Sequence, residues 1–330
     1  MKGILLVNLG SPKDLEDGSI KEYLREFLSD DLVVDYPKFI QHILVNWVIV
    51  PNRYKKTQEA YSKIWTEKGS PLIHRTKELG MHLSEVSSLT IETAMRYQEP
   101  SIKDALTSLI DKGCTSITAI PLYPHFAIST TLTTKNKILE VSKELDKEVN
   151  IDFVEPFYDR PEYIDSLCSL IKEHRKEDSD LLLFSYHGIP IRHLRKANPD
   201  KKHDYQLCVD SQCESEEFCY RHQVYETARL CAEKLNIPEH KWKVSFQSRI
   251  GPGWLKPFTD KELKKLPGKG IKRLDVISPS FIIDNLETLE EINIEGRQDF
   301  LAAGGKEFNY IPCLNHRKDW VESLNKLSKK

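Results

Sequence analysis

The sequence predicts an α/β fold with parallel sheets, arranged as two similar domains with a cleft between them. Three observations point that way. Strand-like apolar runs alternate with helix-period segments almost throughout. The alternation starts over near the middle, where ILLVNLGSP at 4–12 is echoed by LLLFSYHGIP at 181–190. The chain has 330 residues, 39% of them hydrophobic, enough for two such cores.

The elements follow in order. ILLVNL at 4–9 is a continuous apolar run that stops at Gly10 and Pro12, the pattern of a strand buried on both faces. Ile20, Tyr23, Leu24, Phe27 and Leu28 form a helical stripe over 18–29. FIQHILVNWVIVP at 39–51 also has helical spacing, with apolar residues at 39, 40, 43, 44, 47 and 48. The preferred reading is a core helix; the other is an apolar lip that touches a membrane or an apolar substrate. Helices are expected at 72–87, 101–112 and 131–147, and strands at 90–95, 116–121 and 150–154. In the second half, 162–174 and 221–235 read as helices, and 181–186, 243–247 and 273–278 as strands. A short helix at 284–292 and an amphipathic one at 315–328 complete the set. The domain boundary is placed where a strand gives way to Pro156 and Pro161, so the first domain runs 1–150 and the second begins at 151. A ligand would sit in the cleft, at the carboxyl ends of the strands.

Composition narrows the function. A net charge of −2 makes no electrostatic case for nucleic acid. No stretch reaches the roughly 18 apolar residues of a membrane span. Seven cysteines and no signal peptide point to reduced thiols in a cytoplasmic setting. No phosphate loop, GxGxxG after the first strand, or GxSxG is present, which weakens nucleotide-binding and hydrolase readings.

Four segments carry candidate chemistry. His187 directly follows an apolar strand and precedes Gly188, the place where a side chain enters a cleft; a hydrogen-bonded structural histidine is the alternative. In SPSFIIDNLETLEEI, from Ser278, Asp284 or Asn285 can cap a helix that sets Glu287 and Glu291 four apart on one face. Like charges there cost a few tenths of a kcal/mol. A cation or a proton relay offsets that cost, although a solvated acidic face also explains the pattern. In KVSFQSRIGPGWLKP, a Gly-Pro-Gly turn presents Trp254, either as a core cap or as the wall of a pocket for a flat ring. Cys208, Cys213 and Cys219 are spaced CxxxxC and CxxxxxC, without the short CxxC step of a zinc site. Three of the cysteines with a remote ligand could hold metal; unpaired thiols in an insertion are the alternative.

Together GILLVNLGSP, EYLREFLSD, IWTEKGSPL, FSYHGIP, FQSRIGPGWLKP and LETLEEI, in that order, resemble the ferrochelatases over nearly the whole chain. The resemblance implies two Rossmann-like, chelatase-type domains, 1–150 and 151–312, with a C-terminal helix in 313–330 returning to the first. It implies insertion of Fe²⁺ into a porphyrin with release of two protons. His187 falls on the family's metal-site histidine, Glu287 on its active-site glutamate, and Glu291 on the next acidic residue of its polar path. Trp254 falls on a porphyrin-pocket tryptophan. Arg53, Tyr61 and Ser70 match residues that hold the propionates, and Leu9, Phe27 and Leu28 match the apolar lip. Members that act on coproporphyrin carry a tyrosine where this chain has Leu9, which favours protoporphyrin IX. Asn285 stands where some members have a second histidine. Some relatives bind a [2Fe–2S] cluster, for which Cys208, Cys213 and Cys219 are the candidates.

The residue types suit that chemistry. Two pyrrole protons must leave and the ring must buckle, so apolar contacts have to offset strain. Arg53 can pair with a propionate. Imidazole with carboxylate makes a transient Fe²⁺ site that does not trap the metal. His187 is expected to take protons and Glu287 to guide iron, with the reverse assignment open. A peripheral membrane contact is compatible with the apolar segment; the oligomeric state is not encoded in any motif.

Overall fold

The computed structural model describes residues 1–198, 218–249 and 252–329. The chain divides into two compact units. The first comprises Met1–Tyr123, Ile128–Glu155 and His316–Lys330, and the second Pro124–Ala127 and Pro156–Asn315.

The first unit is built on β1 (Lys2–Gly10), where Ile4, Leu5, Leu6 and Val7 are wholly buried. Its continuous apolar run reflects cover on both faces. The chain continues through α1 (Asp17–Leu28), α2 (Lys38–Ile43), α3 (Val50–Ser62), α4 (Pro71–Val86), β2 (Thr90–Tyr97), α5 (Ile102–Asp111), β3 (Ser116–Pro121), α6 (Thr133–Glu144) and β4 (Asn150–Phe153). The strands pair in parallel in the order β2-β1-β3-β4. Leu5, Val7, Leu106, Leu109, Ile117 and Ile138 share one apolar cluster. Ser101 starts α5 by accepting the Asp104 N–H at 3.1 Å. Gly10 must be glycine: φ is +117°, and a Cβ there would fall 2.0 Å from the Tyr97 carbonyl oxygen. A C-terminal helix, Lys318–Leu327, packs on α4. It buries Trp320, Val321, Leu324 and Leu327, and Asn325 donates to the Val86 carbonyl at 3.0 Å. Burying side chains of this size is worth about 1.5–3 kcal/mol each.

The second unit repeats the plan. It contains α7 (Pro161–His174), β5 (Leu181–His187), α8 (Ile191–Ala197), α9 (Tyr220–Lys234), β6 (Trp242–Gln247), α10 (Thr259–Lys265), β7 (Arg273–Ile277), a wide helix over Glu287–Gly296, α11 (Arg297–Ala302) and β8 (Glu307–Tyr310). The order is β6-β5-β7-β8, again all parallel. In both units the first strand is central and the chain crosses from one flank to the other after the second strand. That crossing makes a topological switch point, where α/β sheets hold ligands. The α/β class and the parallel sheets match the sequence reading.

The segment at 39–51 differs from the preferred reading. It is helical, yet Phe39 is 77% exposed and Trp47 75%, with Ile40, Ile43 and Val48 also exposed. Val45 and Val50 alone within it are wholly buried apolar residues. Periodicity establishes a helix but not what covers its apolar stripe. No helix among the described residues is long and apolar enough to cross a membrane.

Candidate active site

His187 closes β5, the central strand, at the switch point of the second sheet. The backbone around it is held on both sides. Its N–H donates to Ser280 Oγ at 2.9 Å, and Tyr220 donates its hydroxyl to the His187 carbonyl at 2.7 Å. The ring stands edge-on to Phe281, with centroids 6.0 Å apart. The side chain keeps a little solvent access, but burial dominates and pulls the imidazole down to about 4. At neutral pH it is therefore uncharged, with a lone pair to offer.

Gly188 follows because nothing larger fits. A Cβ would lie 2.8 Å from the Gln247 carbonyl oxygen and 3.5 Å from the Trp254 ring. The Trp254 loop is pinned to this turn by Ile191 N–H to the Gly253 carbonyl (2.9 Å) and Leu255 N–H to the Ile189 carbonyl (3.1 Å). Trp254 thus lies against the residue next to His187.

Glu287 opens the wide helix that follows β7. The sequence predicts an ordinary helix here; the backbone instead closes i→i+5 turns over Glu287–Gly296, a rare geometry that is frequent at functional sites. Asn285 supplies the start signal. Its Oδ1 accepts the Thr288 N–H at 3.2 Å, and Thr288 Oγ1 accepts the Asn285 N–H at 3.0 Å, a reciprocal cap. Asp284 anchors the preceding loop by accepting from Tyr310, Asn315 and the Cys313 N–H. Burial raises the Glu287 carboxyl to about 7, with the Glu291 charge adding to the effect and a backbone hydrogen bond opposing it. Glu291 is also raised by burial, against the pull of two hydrogen bonds from Ser248. Glu295 and Glu290 push it further up. The acidic row along this helix therefore extends beyond the pair read from the sequence.

Ser248 escaped the sequence reading as a functional residue, although the motif containing it did not. One further group in the first unit was missed. Asp30 Oδ2 accepts from Arg96 Nη2 (2.5 Å), Tyr97 (2.8 Å) and Thr133 (2.5 Å), a buried network at the end of β2. The signal was the Arg-Tyr pair directly beyond the apolar part of that strand.

The first-unit candidates cluster in part. Phe27 on α1 stacks on Tyr23 at 6.0 Å and meets Tyr97 edge-on at 5.2 Å. Tyr61 on α3 meets Tyr23 at 6.5 Å. Arg53 lies on the same helix as Tyr61 and is exposed. Ser70 immediately precedes α4, buried, with its hydroxyl unpartnered among the described residues. Leu9 is half-buried near the end of β1, while Leu28 is 4% exposed and faces the core.

Cys208 and Cys213 lie outside the described residues. Cys219 is buried at the start of α9. Among the described residues no group of three or more His, Cys, Asp or Glu is placed to hold a metal ion.

Known proteins resemble this chain closely. The ferrochelatase family model matches residues 1–330. A ferrochelatase of Pseudomonas fluorescens is 39% identical over 329 residues, covering 98% of this chain and 96% of that protein. One from Pseudomonas savastanoi pv. phaseolicola is 40% identical over 328 residues, with the same coverage. Among solved structures, SirB from Bacillus subtilis with Fe³⁺ aligns with a TM-score of 0.57 at 13% identity, over 99% of this chain and 94% of that one. The cobalt complex of the sirohydrochlorin chelatase SirB from the subspecies spizizenii gives 0.53 at 11% identity, with the same coverage. These two likenesses concern the fold. The full-length family match and the two relatives at about 40% identity decide the matter: the chain belongs to the ferrochelatase family.

Proposed function

We propose that the protein inserts Fe²⁺ into protoporphyrin IX, forming haem b and releasing two protons. One observation carries the chemistry. A neutral imidazole, pulled down to about 4, and a carboxyl raised to about 7 belong to segments that flank one switch point, His187 ending β5 and Glu287 following β7.

That pattern favours a division of labour opposite to the one expected from residue type. An imidazole held near 4 carries protons poorly at neutral pH but offers a lone pair to iron. A carboxyl near 7 is half-protonated and can take up and release protons without a large barrier. We therefore assign His187 as the iron ligand and Glu287 as the acceptor of pyrrole protons, with a weaker second contact to the metal. Glu291 carries each proton onward. Two protein ligands suit a substrate ion that must leave with the product.

Trp254, Phe27 and Leu9 are the apolar contacts that favour a bent macrocycle, with Leu28 backing the lip from the core. Arg53, Tyr61 and Ser70 bind the propionates, Arg53 by a paired hydrogen bond. A [2Fe–2S] cluster at Cys208, Cys213 and Cys219 would need a fourth ligand, and no step depends on it. The visible spectrum of anaerobically purified protein tests for it. The exposed apolar face from Phe39 to Val48 is a peripheral membrane contact. Its neighbours Lys38, Lys55 and Lys56 suit an anionic surface.

The deciding experiment is anaerobic incubation with protoporphyrin IX and Fe²⁺, followed in the Soret and Q bands. Conversion to the haem spectrum with multiple turnovers supports the reading. Stoichiometric porphyrin binding without conversion would make the protein a carrier.

A further inference from the structure

His187 stands where its sheet runs out on one side. β5 pairs with β7 from Leu181 to Phe184, and β7 ends at Ile277, whereas β5 continues to His187. On the other side His187 is in register with Gln247 of β6, and the Gly188 N–H donates to the Gln247 carbonyl at 2.8 Å. Successive residues of a strand point their N–H and C=O at opposite neighbours. The N–H of residue 188 faces β6, so the N–H and C=O of His187 face the side that β7 has left. Buried backbone groups need partners, and β7 supplies none at this level.

Two side chains take the place of the missing ladder. Ser280, in the loop beyond β7, accepts the His187 N–H at 2.9 Å, and Tyr220 on α9 donates its hydroxyl to the His187 carbonyl at 2.7 Å. The two hydroxyls are also partners of each other. A closed loop results: the peptide N–H to Ser280 Oγ, the serine hydroxyl to the phenolic oxygen, and the phenol to the peptide carbonyl. Each hydroxyl donates once and accepts once. Burial pushes the Tyr220 phenol up, so it keeps the proton it donates. Both clamping residues are fixed from behind. Tyr163 donates to the Pro279 carbonyl at 2.5 Å, and the Phe281 N–H closes a turn on the Ser278 carbonyl at 3.2 Å. Tyr220 is 4% exposed, stands edge-on to His125 with centroids 5.9 Å apart, and opens α9 directly after the wholly buried Cys219.

We propose that Tyr220 and Ser280 are positioning residues for the reaction, which fix the peptide of His187 and so aim its imidazole at the reacting centre. A strand-end residue with free peptide groups can turn about φ and ψ and carry its ring with it. A displacement of about 1 Å at a reacting group costs on the order of a hundredfold in rate. The inference rests on the reading that His187 takes part in iron insertion, and it holds whether the ring binds iron or carries protons.

Steady-state insertion of Fe²⁺ into protoporphyrin IX by the intact chain, under anaerobic conditions, tests it. Tyr220→Phe keeps the ring and its packing and removes only the hydroxyl. Its kcat should fall about tenfold with the porphyrin KM unchanged. Ser280→Ala should behave alike, and Ser280→Thr, which keeps a hydroxyl, should return kcat to within about threefold of wild type. In a His187→Ala background, Tyr220→Phe should alter the residual rate by less than about twofold, because the residue it positions is gone. A tyrosine that merely holds the fold would lower thermal stability and repeat its loss of rate in that background. Such a repeat overturns the proposal, as does a Tyr220→Phe kcat equal to wild type or a Ser280→Thr enzyme as slow as Ser280→Ala. If Tyr220→Phe does not fold, the two Ser280 variants still decide. Turnover retained in His187→Ala would show instead that the reading of His187 itself has failed.

Discussion

Ser248 grips Glu291 from two directions: its backbone N–H donates to one carboxylate oxygen at 2.7 Å and its hydroxyl to the other at 2.5 Å. The grip requires φ of 63° at Ser248. That is left-handed backbone, which costs a non-glycine residue about 1–2 kcal/mol. The strained residue thus holds an acidic side chain of the wide helix against the end of β6, one residue from the strand partner of His187.

Ser248→Ala keeps the N–H and removes the hydroxyl. Both hydrogen bonds lower the Glu291 carboxyl against the push of burial, so losing one raises it further. The acidic limb of the turnover profile should move to higher pH. A roughly tenfold fall in kcat with little change in porphyrin KM should accompany it, the scale typical of an outer-shell partner. Steady-state rates across pH make the comparison. A limb that stays where it is would show that Glu291 plays no part in proton exit.

His187→Ala should lower turnover by about a hundredfold or more, the scale of losing an essential catalytic group. Porphyrin affinity, followed by absorbance titration, should stay near that of wild type, because the proposed apolar and propionate contacts lie on other residues. A variant that keeps most of its turnover would remove His187 from the reaction.

Glu287 makes a prediction about stability. Its carboxyl is raised in the folded protein to about 7, from an ordinary value of 4.5. The folded state therefore binds more protons than the unfolded state between those values, and stability falls as pH rises through that window. Above it the penalty is constant. Glu287→Gln removes the charge, so it should stabilise the protein at pH 8 by about 1–2 kcal/mol, allowing for the group's partial exposure. The gain should vanish near pH 4. Denaturant melts at the two pH values measure it. An equal effect at both would mean that Glu287 is not desolvated.

How much of this was legible beforehand depended on what each residue advertises. The central strands were plain, because Ile4–Val7 and Leu181–Phe184 are apolar on both faces. β8 was not, since Glu307–Tyr310 is a four-residue edge strand with mixed exposure and no alternation long enough to read. His187 and Glu287 stood out by position, at a strand end and a helix start. The helix type at Glu287 was hidden, since i→i+4 and i→i+5 windings place Glu287 and Glu291 on nearly the same face. Ser248 was hidden more deeply, because a serine in left-handed backbone carries no sequence mark of the kind that glycine gives.

The apolar face of the 39–51 segment yields the last prediction. Phe39 and Trp47 are each about three-quarters exposed, and burying side chains of this kind is worth about 1.5–3 kcal/mol apiece. A water-exposed patch of that size, with Lys38, Lys55 and Lys56 nearby, suits the boundary between acyl chains and anionic headgroups. Wild-type protein should co-sediment with phosphatidylethanolamine–phosphatidylglycerol vesicles, more weakly as salt is raised, since headgroup attraction is screened. The double variant Phe39→Glu, Trp47→Glu should remain in the supernatant. Its iron insertion into detergent-dispersed protoporphyrin should stay within about twofold of wild type, because surface substitutions of this kind cost the fold little. Sedimentation of the double variant at wild-type level would exclude the face as a membrane contact. Loss of turnover in detergent would mean instead that these side chains touch the porphyrin, the other role that the sequence left open for the segment.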